Sequence, residues 1–232
     1  MHVSFRELAQ QMGMQTTRAI LTEDIDICLN FAIITKARSI LYENVQTLYN
    51  DKIAPQNAKL SVINGLRTLY SKKDFTDSLI TGDGTEINPY KISVNNNAIE
   101  NNTKVMLYTG FKVSYDNKIM HDCRIIENEV LSQTLHDFCN RPTKDAPIIT
   151  TFGNRDQLTV NVFTGVKNVI KPIMVRVLYI KEPIEVKFDE DAPTNNIDCD
   201  MPEYLHKEIV ELAVNYYINS VSTSNSNKNN NQ

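Results

Sequence analysis

Four side chains of the types that bind zinc occur as two closely spaced pairs in the middle of the chain. One residue separates His121 from Cys123, and two residues separate His136 from Cys139. Imidazole and thiolate are the ligands of structural zinc sites, and a cysteine beside a histidine can also act as a nucleophile. The spacings match no standard zinc knuckle, and no orienting Asn or Asp is implied. We expect ordinary packing here and keep a soluble metal or thiol enzyme as an alternative.

Two other stretches resemble ligand sites in composition but lack the spacing. The segment before the last helix contains six acidic residues: Asp189, Glu190, Asp191, Asp198, Asp200 and Glu203. Their spacing matches no calcium loop, and acidic residues ahead of a helix are expected from its dipole. The run Gly-Asp-Gly-Thr at 82–85 lacks the GK[ST] of a phosphate loop and predicts a turn. We therefore expect no catalytic residues, no cofactor and no metal, and predict that the chain is not an enzyme.

The overall composition excludes several classes of function. The chain has 232 residues, 24 of them basic and 28 acidic, and a formal net charge of −4. Such a chain has no general attraction to nucleic acid or to anionic membranes. No apolar run approaches the roughly 20 residues that span a bilayer, and the first residues are too polar for a secretory signal. The four scattered cysteines are expected to stay reduced in a cytosol.

Helical spacing dominates the first 70 residues. Ser4 and Glu7 have the spacing of a capping box, which predicts that a short helix begins there. The run Thr-Glu-Asp at 22–24 combines a cap with an acidic first turn. Apolar residues then recur at helical spacing with no Gly or Pro, which predicts one long helix over 23–51. A second amphipathic segment at 55–70 is expected to pair with it as a helical hairpin.

Turn-forming and β-branched residues become frequent from about residue 71. Helical spacing returns only briefly, at 127–140. Alternation and β-branched content predict strands at 90–94, 104–115, 148–152, 158–163, 173–180 and 184–188, with a hairpin turn at 153–156. Aromatic residues along 104–115 leave a single-stranded nucleic-acid-binding protein as a second alternative.

The C-terminal segment has the clearest amphipathic pattern. Asp200 and Glu203 have capping-box spacing, and an apolar stripe predicts a helix over 201–219 that docks by one face. The polar tail at 222–232 cannot bury apolar surface, so we expect it to be disordered in isolation.

Four residues of this segment are candidates for a subunit interface. They are Tyr204, His206, Tyr216 and Tyr217. Tyrosine is favoured where one side of the ring is buried and the other is wet, as at interfaces. A helix docked on its own core explains the same residue types equally well.

These patterns together predict an α+β fold in four parts. The first, 1–72, is a helical segment with the long-helix hairpin. The second, 73–200, is a central antiparallel β module with a short helix. A C-terminal amphipathic helix at 201–221 packs back on the core and is followed by a polar arm at 222–232.

Both ends of the chain resemble one group of virion proteins. The sequence Met-Pro-Glu-Tyr-Leu-His-Lys-Glu-Ile-Val-Glu-Leu-Ala-Val at 201–214 is similar to a closing motif of structural proteins of the crAss-like short-tailed phages of gut Bacteroidota. The sequence Met-Gln-Thr-Thr-Arg-Ala-Ile-Leu-Thr-Glu-Asp-Ile-Asp-Ile at 14–27, followed by a long helix, also looks like this group. The middle of the chain resembles it only in layout.

The resemblance implies a structural function. Such proteins form homo-oligomeric rings, usually dodecamers, between the portal and the tail. The expected partners are other copies of the chain, the portal protein and neighbouring ring or tail proteins, with DNA passing through the channel without sequence-specific binding. The expected location is the virion, after synthesis in the host bacterial cytoplasm, with no membrane contact. No catalytic residues belong to the pattern.

Overall fold

The structure is a computed structural model that describes residues 1–12, 20–50, 64–99, 103–116 and 118–229, with 43–50 and 222–229 as backbone only. Within these ranges the fold is α+β, with four helices and two four-stranded sheets. The chain divides into two compact units. The helical unit comprises Met1–Leu69 and Pro183–Gln232, and the β unit comprises Tyr70–Glu182.

Three helices build the helical unit. They are α1 (His2–Gln11), α2 (Thr22–Asn50) and α4 (His206–Asn229). Each packs on the other two, and small and aliphatic residues fill the space between them, including Ala9, Leu29, Ile33, Ile209 and Ala213. The prediction of one long helix over 23–51 is confirmed. Most of its predicted hairpin partner lies outside the described residues.

The helix starts differ from the sequence pattern. Helix α1 begins at His2, and no side chain caps its first turn. A short 3-10 turn, Glu203–Leu205, precedes α4, and it also lacks a side-chain cap. Asp200 instead accepts a hydrogen bond from the backbone N–H of Ile184, 3.3 Å away. Both predicted capping boxes are therefore wrong. The backbone of α4 runs on to Asn229, so the polar tail begins as part of this helix.

The segment after the β unit was expected to form a strand at 184–188, and this prediction is wrong. The Asn30 side chain of α2 donates to the carbonyl of Val186 (3.0 Å) and accepts from its N–H (2.7 Å). Asp26 accepts from the N–H of Phe188 at 3.1 Å. The backbone of Lys187 also forms a single antiparallel bridge with Ile197. The segment is therefore extended, bonded by α2 side chains and by one bridge, and it is not a strand of either sheet.

The β unit consists of two four-stranded sheets, and these sheets correspond to the predicted central antiparallel β module. The first has the order β1 (Tyr70–Thr76), β8 (Met174–Lys181), β3 (Val105–Ser114), β4 (His121–Asp122). The second has the order β2 (Tyr90–Asn95), β7 (Gln157–Phe163), β6 (Ile148–Gly153), β5 (Arg124–Ile125). Neighbours are antiparallel except β5 and β6, which are parallel.

The sheets contribute to one shared core. It includes Phe75, Val113 and Val177 from the first sheet and Val94, Ile149 and Val160 from the second. Helix α3 (Asn128–His136) covers part of the second sheet, because Leu135 packs with Ile148 and Phe163. The helix stops four residues before the predicted end at 140.

Strand β1 was not predicted, because its sequence Tyr-Ser-Lys-Lys-Asp-Phe-Thr looks like a loop. Asp74 of this strand belongs to a row of charged residues across the first sheet. In this row Asp74, Arg176, Lys112 and Asp122 are register neighbours on four strands. Arg176 donates two hydrogen bonds to Asp74 (2.6 and 2.8 Å), and Lys112 lies 2.9 Å from Asp122. The Arg176 hydrogen bonds hold the pKa of the Asp74 carboxyl below its usual value. The charges therefore pair across strands, and the row needs no ligand.

Candidate functional site: two exposed apolar surfaces

The first predicted zinc-type pair lies in and beside the β core. Cys123 packs against the core cluster, and burial raises the pKa of its thiol to about 12. A thiol with a raised pKa is a poor nucleophile, because the thiolate is the reactive form. The Nδ1 atom of His121 lies 3.6 Å from an Asp145 carboxylate oxygen, and its ring tilts against Tyr115.

The second pair is on the surface. His136 lies 3.5 Å from Glu86, and Cys139 is exposed in the turn after α3. Across the described ranges, no three His, Cys, Asp or Glu side chains are grouped so as to hold a metal ion. The structure thus does not bring the four candidates together, and the metal or thiol enzyme gains no support from it.

The cysteines should differ sharply in reactivity. Burial raises the pKa of the Cys28, Cys123 and Cys199 thiols, while Cys139 is exposed. We expect a neutral maleimide or disulfide reagent to modify Cys139 quickly in the folded chain and the other three, which are less exposed, more slowly. Labelling followed by peptide mass mapping measures this. The fast phase should vanish in Cys139→Ser, and a fast phase that survives would contradict the placement.

The strand that suggested nucleic-acid binding has its aromatic rings inside. Phe111 and Tyr115 belong to the core of the β unit. Tyr108 stacks on Phe111 and donates to the Asn96 side chain at 2.6 Å, and burial raises the pKa of its hydroxyl to about 12. Base stacking needs open ring faces. This strand does not supply them.

The acidic segment before α4 uses its carboxylates to shape the backbone. One Asp189 oxygen accepts from the N–H groups of Asp191 and Ala192, both at 3.1 Å. Asn196 in turn accepts from the N–H of Asp189 at 2.7 Å. These are turn-forming contacts of the kind expected for a solvated loop.

The β unit carries exposed apolar side chains concentrated at one end. Strands β1 and β3 end there and β8 begins there, as the pairing of Thr76 and Ser114 with Met174 shows. The connecting loops also meet, because Lys171 lies 2.6 Å from Asp77. We name as the apolar loop end the exposed residues Leu79, Ile87, Ile119, Val166, Ile170 and Ile173.

The opposite end of the β unit contains a network of polar side chains. The Asn96 side chain donates to the carbonyl of Arg155 at 3.1 Å, and Asn97 donates to Asp156 at 2.7 Å. Asn154 accepts from two backbone N–H groups of its own hairpin turn, and the predicted turn at 153–156 is confirmed here. This polar network and the apolar loop end therefore lie at opposite ends of the β unit, although Tyr70, Leu107 and Phe152 are also exposed near the network.

A tightly bonded loop presents the most exposed of these residues. Gly82 and Gly84 have φ values of 95° and 81°, which ordinary side chains rarely adopt. Asp83 accepts from the N–H and the hydroxyl of Thr85 at 3.0 and 2.7 Å. The predicted turn at 82–85 is confirmed, and it fixes the loop on which Ile87 is 95% exposed.

The helical unit has a second exposed apolar surface. Along α2, Ile27 is 68% exposed and Phe31 59% exposed, with Ile34 half-buried on the same side. The Phe31 ring meets the edge of Tyr216 on α4, with centroids 4.8 Å apart. We define the outer stripe as Ile27, Phe31, Ile34 and Arg38, at the spacing i, i+4, i+7 and i+11.

The four predicted interface residues have different environments. Tyr204 is 62% exposed, and the Nε2 atom of His206 lies 2.9 Å from the carbonyl of Met201. Tyr216 adjoins the outer stripe through Phe31. Tyr217 instead packs edge-on against the buried ring of Phe5. The outer stripe beside Tyr216 was not predicted from the sequence.

Comparison with known proteins adds no assignment, since no protein-family model and no curated protein matches the chain. No helix within the described ranges is both long and apolar enough to cross a membrane. The fold thus defines an α+β chain of two units, each with an exposed apolar surface.

Proposed function

We propose that the chain is a non-enzymatic structural subunit of a phage virion and forms a homo-oligomeric ring in the portal–tail connector. The resemblance of 14–27 and 201–214 to crAss-like virion proteins supports the class of virion structural proteins. The exposed apolar residues support an assembling role, because clusters of exposed apolar side chains on a folded chain mark sites of association. The portal protein and neighbouring ring or tail proteins are the partners, and the ring is a dodecamer.

The observation that carries the proposal is the apolar loop end. Its six residues lie on connecting loops of a packed β unit, and the loop of Ile87 is fixed by internal hydrogen bonds. Loops at one end of a β-sandwich are a recurrent place for binding surfaces, because the sheets hold them in position. In a cyclic ring, each subunit contacts its neighbours through two different surfaces. The apolar loop end of each subunit can supply one of these two surfaces.

The overall charge agrees with a channel through which DNA passes. The net charge of −4 gives the chain no general attraction to phosphate. A lumen that held DNA tightly would slow its passage. We therefore propose that DNA passes the ring without sequence-specific contacts.

Copy number in the virion tests this proposal. Quantitative peptide counting on purified phage particles should find the chain in the same number of copies as the portal protein. Ile87→Asp, at the apolar loop end, should prevent incorporation, because a buried unpaired carboxylate opposes association. Phe152→Asp is the matched control, since this exposed residue lies near the polar network at the opposite end. Absence of the chain from virions, or equal incorporation of Ile87→Asp, would contradict the proposal.

A further inference from the structure

We propose that the outer stripe of α2 binds the outer stripe of a second copy of this chain, with the two helices antiparallel about a two-fold axis at Phe31. The proposal rests on the geometry and charges of α2 alone. It stands independently of the ring, because a cyclic ring joins different surfaces whereas this pair uses one surface twice.

The first argument is that α2 has two apolar faces. Leu29 and Ile33 are fully buried on the face that packs within the helical unit. Residues advance about 100° around a helix, so Ile27 and Phe31 lie on nearly the opposite side. A helix that packs by one face should be polar on the other. Here the other face is apolar, and its spacing is that of a seam between paired helices.

The second argument is charge complementarity. Asp24 lies seven residues before Phe31 and Arg38 lies seven after it, both exposed and on the side of the outer stripe. Antiparallel pairing centred on Phe31 therefore places Arg38 of each copy against Asp24 of the other. Glu23, also exposed, adds a second acidic group at that end. A parallel pair would instead set like charges side by side.

Within the part of the chain that the structure describes, these charges have no ion-pair partner. Lys36, on the same helix, is already engaged, since its ammonium lies 2.6 Å from Glu208 of the same chain. Arg38, Glu23 and Asp24 take part in none of the ion pairs found among the described residues. Tyr216 lies against Phe31 and extends the apolar surface beside the axis. The pattern is an acidic end, an apolar centre and a basic end.

Sedimentation equilibrium over a concentration series tests the pairing. The wild-type chain should pass from the 26.5 kDa monomer to twice that mass. Phe31→Asp should lose the dimer, because it places two carboxylates at the axis. Arg38→Glu and Asp24→Arg should each weaken it about ten-fold, since a two-fold interface contains each charge pair twice. The double variant Asp24→Arg/Arg38→Glu should restore pairing.

Val3→Asp is the matched control, because Val3 is 70% exposed on the same unit and outside the stripe. Circular-dichroism melting of each variant separates lost pairing from lost folding. A wild-type chain that stays monomeric, or a double variant no better than the single ones, would overturn the proposal. If the wild-type chain and Phe31→Asp form rings of higher mass equally well, the ring proposal is supported and the α2 pairing is overturned. The two proposals can therefore fail separately.

Discussion

Gly82→Ala should lower the free energy of unfolding by about 2–4 kcal/mol, because a left-handed backbone and a steric clash act together. Gly82 has a φ of 95°, and a Cβ there would lie 2.1 Å from the carbonyl oxygen of Pro89. That oxygen belongs to the backbone, so it cannot rotate away as a flexible side chain could. Relief requires the loop 82–89 to move, which would also displace Ile87 and so the apolar loop end.

Urea unfolding followed by circular dichroism measures this effect. Gly110→Ala is the matched control in the same unit, since a Cβ there meets only Leu178, at an ordinary 3.8 Å. We expect the control to be neutral or slightly stabilising, because alanine restricts the unfolded chain more than glycine does. Equal unfolding midpoints for the two variants would show that the loop does not have this conformation.

Asn30→Ala should lower the free energy of unfolding by about 2–4 kcal/mol. It removes two hydrogen bonds and leaves two buried backbone groups without a hydrogen-bond partner. Asn30 contacts both the N–H and the carbonyl of Val186, which is 7% exposed, across 156 residues of sequence. Alanine's better helix propensity returns only about 0.5 kcal/mol. The extended segment around 186 should detach before the helices unfold.

Hydrogen exchange read residue by residue distinguishes this result from general destabilisation. The amide of Val186 should exchange much faster in Asn30→Ala than in the wild-type chain, while the amides of β7 keep their protection. Asn215→Ala, on the exposed side of α4, is the control and should leave both unchanged. Unchanged protection of Val186 in Asn30→Ala would contradict the hydrogen-bond assignment.

The elements that could be predicted are those whose local sequence pattern matches both their secondary structure and their burial in the fold. Helix α2 follows from an acidic first turn and an uninterrupted helical stripe, and it was placed within a residue at each end, although Thr22, predicted as its cap, lies inside the helix. Strands β2, β3, β6, β7 and β8 follow from alternation and β-branched residues, and each was placed within a residue at either end. In these elements the pattern that forms the backbone also buries the side chains.

Elements stabilised by distant partners were not predictable. Strand β1 contains Asp74, whose partner, Arg176, is about a hundred residues away in sequence. The segment around Val186 alternates like a strand, yet α2 side chains satisfy its backbone. The two capping-box patterns failed because spacing alone does not show where a helix begins, and Asp200 bonds elsewhere.

The candidate surfaces could be seen in the sequence only in part. Phe31 and Ile34 widen the helical stripe in the sequence, but the pattern does not show which side of the stripe is buried. The apolar loop end was invisible, because Leu79, Ile87 and Ile170 are far apart in sequence and single apolar residues in loops are ordinary. Only the strand register brings those loops to one end.

The mass and symmetry of the purified chain, by mass photometry with negative-stain imaging, test the central claim most directly. We predict ring-shaped particles, or a chain that joins a ring once the portal complex is added. A compact monomer that ignores portal and tail proteins at every concentration would contradict the proposed function.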